Sequence, residues 1–230
     1  MTTALVVCAH GTRDPAGRAA VRAVVDEVAA LVPGVDVREA FVDVHGPFVA
    51  DVVAALPAAG AGEPLAGVVV PLLLAGGYHV HVDIAEAVAS RPDVVATPAL
   101  GPDDRLVDVV LDRMAAASAP EGAAVVVVPA GSSDARAQAD SDEVARRLAE
   151  QWDGPVTIGF AAGPSPSVAD AVAAARGGGG GPVVAASYLL APGFFQRRVE
   201  ECGADVVTGP VLPDPRVAEI VVDRYRAVVG

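Results

Sequence analysis

The feature that most constrains this chain is an internal repeat, because stretches of its first half recur in the same order in its second half. The first pairs are "VVCAHGTRDP" (6–15) with "VVVPAGSSDA" (126–135), and "FVDVHGPFVADVVAA" (41–55) with "FAAGPSPSVADAVAA" (160–174). Two more follow, "PLLLAGGYH" (71–79) with "SYLLAPGFF" (187–195) and "PALGPDDRLVDVVLDR" (98–113) with "PVLPDPRVAEIVVDR" (210–224). The repeat predicts two similar domains from an internal duplication, residues 1–120 and residues 121–230.

Within each half, short apolar runs alternate with amphipathic, alanine-rich segments, which is the pattern of an α/β protein. The strands are predicted at 4–9, 35–43, 66–74, 93–97, 123–129, 155–162, 182–190 and 205–209. The helices are predicted at 15–32, 47–56, 83–90, 103–117, 137–151, 166–176, 194–202 and 214–229. Continuous apolar strands are typical of parallel sheets covered on both faces. Each domain is therefore expected to be a parallel four-stranded sheet flanked by helices, similar to flavodoxin-like and Rossmann-like folds.

Two helix starts carry recognisable signals. Asp14 followed by Pro15 reads as an N-cap residue with proline in the first turn. Asp83 with Glu86 three residues later predicts a capping box. The stretch "RGGGGGP" (176–182) is predicted to be a flexible loop.

Composition excludes several classes of function. The 230 residues carry a formal net charge of −13, which argues against nucleic acid or an anionic membrane surface as a partner. No apolar run approaches the ~18 residues of a membrane-spanning helix, and the first residues show no basic leader of a secretory signal. The two cysteines, Cys8 and Cys202, have no zinc-site spacing and fit reduced thiols of a cytoplasmic protein.

The repeat also separates residues that the fold requires from residues that only one half carries. The four histidines all lie in the first half, and their counterparts in the second are Ala130, Pro164, Phe195 and Arg197. Asp43 corresponds to Ala162, whereas the glycines, the Asp51/Asp170 pair and the Asp-Arg pairs at 112–113 and 223–224 occur in both halves. The shared residues are best explained by architecture, and the unshared polar residues are candidates for chemistry.

His10, Asp43, His45 and His79 follow the first three predicted strands, whose carboxyl ends meet at the ligand-binding edge of such a sheet. Imidazoles with a carboxylate suit divalent metals such as Fe²⁺, Co²⁺ or Ni²⁺, and neutral imidazole can accept protons near neutral pH. A histidine before Gly-Pro can equally cap a turn, so His45 is open to two interpretations, a metal ligand and a turn cap. His81 is predicted to be a surface residue at the start of a helix.

The opening "HGTRDP", then "AFVDVHGP", then "PLLLAGGYHVHVDI", resembles the sirohydrochlorin chelatase family of class II, ATP-independent tetrapyrrole chelatases, in its long two-domain form. The resemblance covers essentially the whole chain. It implies a lyase that inserts Fe²⁺ or Co²⁺, with Ni²⁺ as a further possibility, into sirohydrochlorin without ATP or any nucleotide. Sirohaem or cobalamin biosynthesis would then be the pathway.

By the same resemblance, His10 and His79 match positions that bind the metal and take up protons. Asp43 stands where many members have glutamate, and His45 lies outside the family pattern and could supplement the shorter Asp43. Sirohydrochlorin carries carboxylates, for which Arg13 and Arg197 are the candidate partners, with Arg136 and Arg198 as further ones. The chain is expected to act as a monomer in the cytoplasm, with a dimer left open.

Two alternative functions remain open. A histidine phosphatase also has a strand followed by His-Gly, but Ala9 stands where that superfamily needs an arginine. A non-enzymatic Co²⁺ or Ni²⁺ carrier would use the same ligands, although the chain has no His-rich or Cys-rich tail. The sequence leaves the identity of the metal undecided, because imidazole sites accept several of them.

Overall fold

Strands and helices alternate along the whole chain, as the sequence predicts. The computed structural model describes residues 3–59, 64–77, 79–179 and 181–230, of which residues 79–81 are described by their backbone alone. In the first half the elements are β1 (Ala4–Ala9), α1 (Pro15–Leu31), β2 (Val37–Phe41), α2 (Val49–Ala54), β3 (Gly67–Pro71), a π-helical turn (His79–Ile84), α3 (Ala85–Ala89), β4 (Val94–Ala96) and α4 (Asp104–Ala116).

The second half repeats this order without the π-helical turn among its described residues. Its elements are β5 (Ala124–Pro129), α5 (Ala135–Ala149), β6 (Val156–Ile158), α6 (Val168–Gly179), β7 (Val183–Tyr188), α7 (Phe194–Glu200), β8 (Val206–Val207) and α8 (Pro215–Val229). None of the helices in the described part of the chain is both long and apolar enough to cross a membrane.

The strands form two four-stranded parallel sheets with equivalent order, β2-β1-β3-β4 and β6-β5-β7-β8. The central strands β1 and β3 are buried along their full length, because helices cover both faces of the sheet. The predicted fold class is therefore confirmed: two similar α/β halves, each with a parallel sheet flanked by helices.

The compact units of the structure have different bounds from the sequence repeats. One unit comprises Met1–Leu100 with Pro213–Gly230, and the other comprises Gly101–Leu212. Helix α8, from the second repeat, packs on α1 and β3 of the first, and helix α4, from the first repeat, packs on β7 and α5. The division at residue 120 thus describes the repeats, whereas each compact unit contains the last helix of the other repeat.

Helices α4 and α8 are thus exchanged between the two repeats, and the arginines of the repeated Asp-Arg pairs help to hold them in place. Arg113 of α4 donates hydrogen bonds to the carbonyl oxygens of Pro210 (3.0 Å) and Val211 (2.9 Å). Its counterpart Arg224 of α8 donates to the carbonyl oxygen of Leu100 at 3.0 Å. Each arginine therefore ties the exchanged helix to the segment that follows the fourth strand of its compact unit, and such charged donors strengthen the bonds.

One predicted helix start is confirmed, one is wrong, and one predicted loop has the wrong first residue. The Asp14 carboxylate accepts hydrogen bonds from the amides of Ala16 and Gly17 at the start of α1, as expected for an N-cap. The predicted capping box at Asp83 is wrong, because the π-helical turn runs directly into α3 and Ile84, with no side-chain cap, is its N-cap residue. The predicted loop at 176–182 begins too early, because helix α6 continues through Gly179.

Two equivalent glycines are required where strands β1 and β5 end. Gly11 has φ +100°, and a Cβ there would overlap the backbone oxygen of Asp43. Gly131 has φ +97°, and a Cβ there would overlap the backbone oxygen of Ala162. Only glycine combines this backbone conformation with so close an approach of a second segment.

We expect Gly11→Ala and Gly131→Ala each to lower the free energy of unfolding by about 1–3 kcal/mol or more, because the substituted residue is strained and must displace backbone. Urea denaturation followed by circular dichroism measures this loss. Gly34→Ala is the matched control, since Gly34 has φ +91° but a Cβ there meets no heavy atom within 4 Å. A loss at Gly11 no larger than at Gly34 would show that the close approach is not what requires glycine.

Candidate active site

His10 and Asp43 lie side by side at the carboxyl edge of the first sheet. The pairing of β1 with β2 continues beyond the assigned strands, because the Val42 amide donates to the Ala9 carbonyl at 2.9 Å. The Asp43 amide then donates to the His10 carbonyl at 3.0 Å. The ladder thus brings the first two candidate residues to neighbouring positions at one edge, as their places after two parallel strands predict.

The side chain of Asp43 is exposed and shapes its own loop. Its Oδ1 accepts a hydrogen bond from the Val44 amide at 2.6 Å, and Val44 has φ +69°. A valine in this left-handed region is strained, so the carboxylate helps to hold an unfavourable turn. Asp43 therefore has one oxygen engaged with the backbone and an exposed carboxylate at the edge of the sheet.

His45 is half-buried and packed against Phe41. Their ring centroids are 4.1 Å apart at an interplanar angle of 56°. Nδ1 lies 3.1 Å from the Gly46 carbonyl oxygen, to which it donates when it carries the proton. Nε2 is buried and has no hydrogen-bond partner among the described residues. A ring nitrogen that donates to a backbone carbonyl while the other keeps its lone pair is the arrangement found in many metal-ligating histidines.

His79 opens the π-helical turn His79–Ile84, between β3 and α3. Single π-helical turns are rare and occur frequently at functional sites. The side chains of His79 and His81 lie outside the described residues, so their predicted roles as catalytic and surface residues remain predictions. Among the described side chains, no group of three His, Cys, Asp or Glu residues could hold a metal ion. His10, Asp43 and His45 consequently do not form a three-ligand site by themselves.

The candidate arginines have different surroundings. Arg13 is exposed in the loop between β1 and α1, in the same compact unit as His10. Arg197 and Arg198 are exposed on α7 in the other compact unit. Arg136 donates to both oxygens of Asp134, at 3.0 and 2.7 Å, and these hydrogen bonds raise the pKa of its guanidinium. Arg136 is therefore committed to the start of α5, which makes it the weakest of the four candidates for binding substrate.

Sequence reasoning missed two apolar residues beside the candidate ligands. Val44 and Phe48 are 38 % and 44 % exposed in the loop that carries Asp43 and His45. Large exposed apolar side chains beside polar candidates are typical of a site for a partly apolar ligand. The repeat comparison contained the signal, because the counterpart of Phe48 is the small polar Ser167.

Cys8 lies in β1, two residues before His10, and its buried surroundings make the thiol unreactive. Burial raises the pKa of its thiol from 9.0 to about 12, and the nearby negative charge of Asp83 adds to the rise. A thiol with this pKa stays protonated and neutral at physiological pH, and it supplies no thiolate ligand or nucleophile.

We expect the native Cys8 thiol to react with iodoacetamide at pH 8 at least about a hundredfold more slowly than in the unfolded chain. Because the pKa of Cys8 is raised in the folded protein, the protonated thiol contributes its full share to the free energy of unfolding below pH 9.0. This contribution decreases as the pH rises towards 12. Intact-mass spectrometry of a Cys202→Ala variant, with and without urea, measures the reaction at Cys8 alone. Equal reaction rates in the native and the unfolded protein would contradict the conclusion that burial keeps the Cys8 thiol unreactive.

A sequence model of the CbiX family matches the chain twice, at residues 4–117 and again at residues 124–228. No curated protein matches the sequence.

Three solved structures share the fold over essentially the whole chain. SirB from Bacillus subtilis with Fe³⁺ has a TM-score of 0.80 at 22 % identity, covering 100 % of this chain and 96 % of that one. The sirohydrochlorin chelatase SirB from Bacillus subtilis subspecies spizizenii in complex with cobalt has a TM-score of 0.78 at 21 % identity, with the same coverage of 100 % and 96 %. CbiX, described as the terminal enzyme for biosynthesis of siroheme in denitrifying bacteria, has a TM-score of 0.72 at 22 % identity, covering 99 % of this chain and 100 % of that one. Because the family match accounts for both halves and thereby for the internal repeat, the chain belongs to the CbiX family.

Proposed function

We propose that this protein is a sirohydrochlorin chelatase, a lyase that inserts a divalent metal into the tetrapyrrole without ATP. The observation that carries the proposal is the adjacency of His10 and Asp43 at a sheet edge in one half of a doubled CbiX-family chain. The equivalent positions of the other half hold Ala130 and Ala162, so the fold does not need these polar groups. Two of the three structural relatives are described with Fe³⁺ and with cobalt, which supports a metal ion as the second substrate.

Metal insertion places two demands on the protein, and imidazoles meet both. Two pyrrole N–H protons must leave the macrocycle, and a neutral imidazole beside it accepts protons near neutral pH. The metal must also be held and then released, which favours a few nitrogen and oxygen ligands over a closed thiolate site. We assign both tasks to His10 and His79.

Asp43 and His45 are proposed as secondary metal ligands. The Oδ1 atom of Asp43 is engaged with the Val44 amide, so Oδ2 is the atom we assign to the metal. For His45 the assigned atom is Nε2, because Nδ1 faces the Gly46 carbonyl. An entering cation would supply the buried lone pair of Nε2 with a partner.

The substrate itself is a planar macrocycle that bears carboxylates. Arg13 and Arg197 are proposed to bind carboxylates, which guanidinium groups recognise through paired hydrogen bonds. Val44 and Phe48 offer exposed apolar surface for the ring beside Asp43. Because the chain as a whole carries a net charge of −13, these arginines must act locally against a repulsive field.

We further propose that the enzyme works as a monomer in the cytoplasm and binds neither nucleic acid nor membranes. Two free buried cysteines suit a reducing compartment, and the acidic net charge disfavours polyanionic partners. Iron insertion would place it in sirohaem biosynthesis, and cobalt insertion in cobalamin biosynthesis.

The test is anaerobic incubation of the protein with sirohydrochlorin and Fe²⁺, Co²⁺ or Ni²⁺ in separate reactions, followed by absorption spectroscopy. We expect the macrocycle spectrum to change faster than in the protein-free reaction with at least one metal. A protein that binds metal but leaves the spectrum unchanged would instead be a metal carrier. Turnover of an aryl phosphate that is lost in His10→Ala would establish the phosphatase alternative.

A further inference from the structure

Three of the five phenylalanines are exposed, and two of these stand together on α7. Phe41 and Phe160 are buried, whereas Phe194 is 61 % exposed and Phe195 is 37 % exposed. The rings of Phe194 and Phe195 make an edge contact with centroids 5.5 Å apart, and the guanidinium carbon of Arg198 lies 5.8 Å from the Phe194 centroid. We call Phe194, Phe195 and Arg198 the α7 aromatic cluster.

The α7 aromatic cluster lies at the carboxyl edge of the second sheet. Strand β7 ends at Tyr188 and α7 begins at Phe194, so the two rings lie in the first turn of the helix that follows the strand. The repeat aligns them with Tyr78 and His79 of the first half. The position that carries a proposed catalytic histidine in one half therefore carries an exposed aromatic ring in the other.

A buried polar network holds the helix that presents these rings. Gln196, only 5 % exposed, accepts a hydrogen bond through Oε1 from the Ser187 hydroxyl at 2.7 Å. Its Nε2 donates to the Thr208 carbonyl at 3.0 Å, and the Thr208 hydroxyl accepts from the Ser187 amide at 2.8 Å. Because Gln196 is fixed between β7 and the end of β8, the neighbouring rings are held at the edge without being buried themselves.

We propose that the α7 aromatic cluster binds the tetrapyrrole, with Phe194 and Phe195 against the face of the macrocycle and Arg198 on one of its carboxylates. This inference rests on the proposed function and adds the residues that recognise the organic substrate. Aromatic side chains on which flat π-systems stack, together with a guanidinium group, recognise planar anions in general.

The charges around the cluster favour this occupant over others. Arg198 places a positive charge beside the Phe194 ring in a chain of net charge −13. Glu200 and Glu201 follow the two arginines of α7 at the end of the helix, whose first turn carries no acidic residue. An uncharged apolar partner would gain nothing from the arginines, and nucleic acid would meet the acidic remainder of the surface.

The experiment is a titration of metal-free sirohydrochlorin into the full-length protein, followed by the absorption and fluorescence of the macrocycle. We expect the double variant Phe194→Ala/Phe195→Ala to raise the Kd for sirohydrochlorin at least tenfold. The double variant Phe194→Leu/Phe195→Leu, which keeps apolar side chains, should raise it less. Arg198→Gln is expected to raise Kd and to reduce its dependence on salt. Leu31→Ala, which removes an apolar side chain 41 % exposed on α1, should leave Kd unchanged.

The outcomes separate this inference from the proposed function. A double alanine variant that keeps its thermal unfolding midpoint and binds sirohydrochlorin within twofold of the wild type would overturn the role of the cluster, while metal insertion by the wild type would stand. Failure of the wild type to metallate sirohydrochlorin would overturn the proposed function, and failure to bind it would overturn the inference as well. An equal effect of Arg198→Gln at low and high salt would refute the carboxylate contact.

Discussion

Replacing His10 with alanine is expected to lower the rate of metal insertion into sirohydrochlorin by about 10²- to 10⁴-fold, the range typical for loss of a positioned acid or base. His10 follows β1 directly, and its backbone carbonyl accepts from the Asp43 amide at the carboxyl edge. The variant removes a proton acceptor and a metal ligand at once, so both the proton transfer and the delivery of the metal should be slowed.

The same substitution should leave the fold intact, because the second half already carries Ala130 at the equivalent position. Unfolding in urea should therefore have the same midpoint in the variant and the wild type, within the error of the method. This separates a loss of chemistry from a loss of structure.

Initial rates from anaerobic spectrophotometry, with each metal in turn, measure the effect. His79→Ala is expected to give a loss of similar size, and His81→Ala, predicted to change a surface residue, serves as the histidine control. If His10→Ala keeps more than half of the wild-type rate with every metal, the site assignment is wrong.

The second large effect concerns folding. We expect residues 1–118, the first repeat alone, not to form a stable domain. The compact unit that holds β1 to β4 is completed by α8 from the other end of the chain. In α8, Val217, Ile220, Val221 and Val222 are at most 2 % exposed. At about 1.5–3 kcal/mol for each buried side chain, their loss is comparable to the 5–15 kcal/mol that stabilises a typical domain.

Polar contacts add to this loss. The Tyr225 hydroxyl donates to the Thr3 carbonyl at 2.6 Å, and Arg224 donates to the Leu100 carbonyl at 3.0 Å. The fragment would also expose the apolar face of α4, whose buried residues include Leu106, Val110 and Met114. An aggregated or molten chain is therefore the expected product.

A chain of nearly the same length, residues 1–100 joined by a short Gly-Ser linker to residues 213–230, provides the matched control. We expect it to unfold cooperatively in urea, since it contains one complete compact unit. Circular dichroism and amide hydrogen exchange of both chains make the comparison. Cooperative unfolding of residues 1–118 with the stability of the joined chain would contradict the importance of the exchanged helix.

The strands and most helices were predictable because their signals are local. Apolar runs and a cap such as Asp14 can be read directly from neighbouring residues. Asp83 shows the limit of that approach, because its spacing to Glu86 mimics a capping box while a π-helical turn occupies the same residues. Nothing in the local pattern distinguishes the two, since the π-helical turn depends on how the segment between β3 and α3 is accommodated.

The candidate site was predictable for a different reason. The chain carries its own comparison, and residues missing from the second copy stood out as His10, Asp43, His45 and His79. Their placement after parallel strands then predicted a shared edge, which the hydrogen bond between Asp43 and His10 confirms for those two. The ring contact of His45 with Phe41, and the exposure of Val44 and Phe48, depended on the folded loop.

The sequence by itself determined the doubled α/β fold, the strand ends and the half that bears the candidate chemistry, because these follow from periodicity and from an internal comparison. Only the tertiary structure decided that α4 and α8 are exchanged between the repeats, and that Arg113 and Arg224 fasten them. It alone also revealed which phenylalanines remain exposed. The physical reason is that an amphipathic helix specifies that one face must be buried, but not which of two similar sheets will bury it.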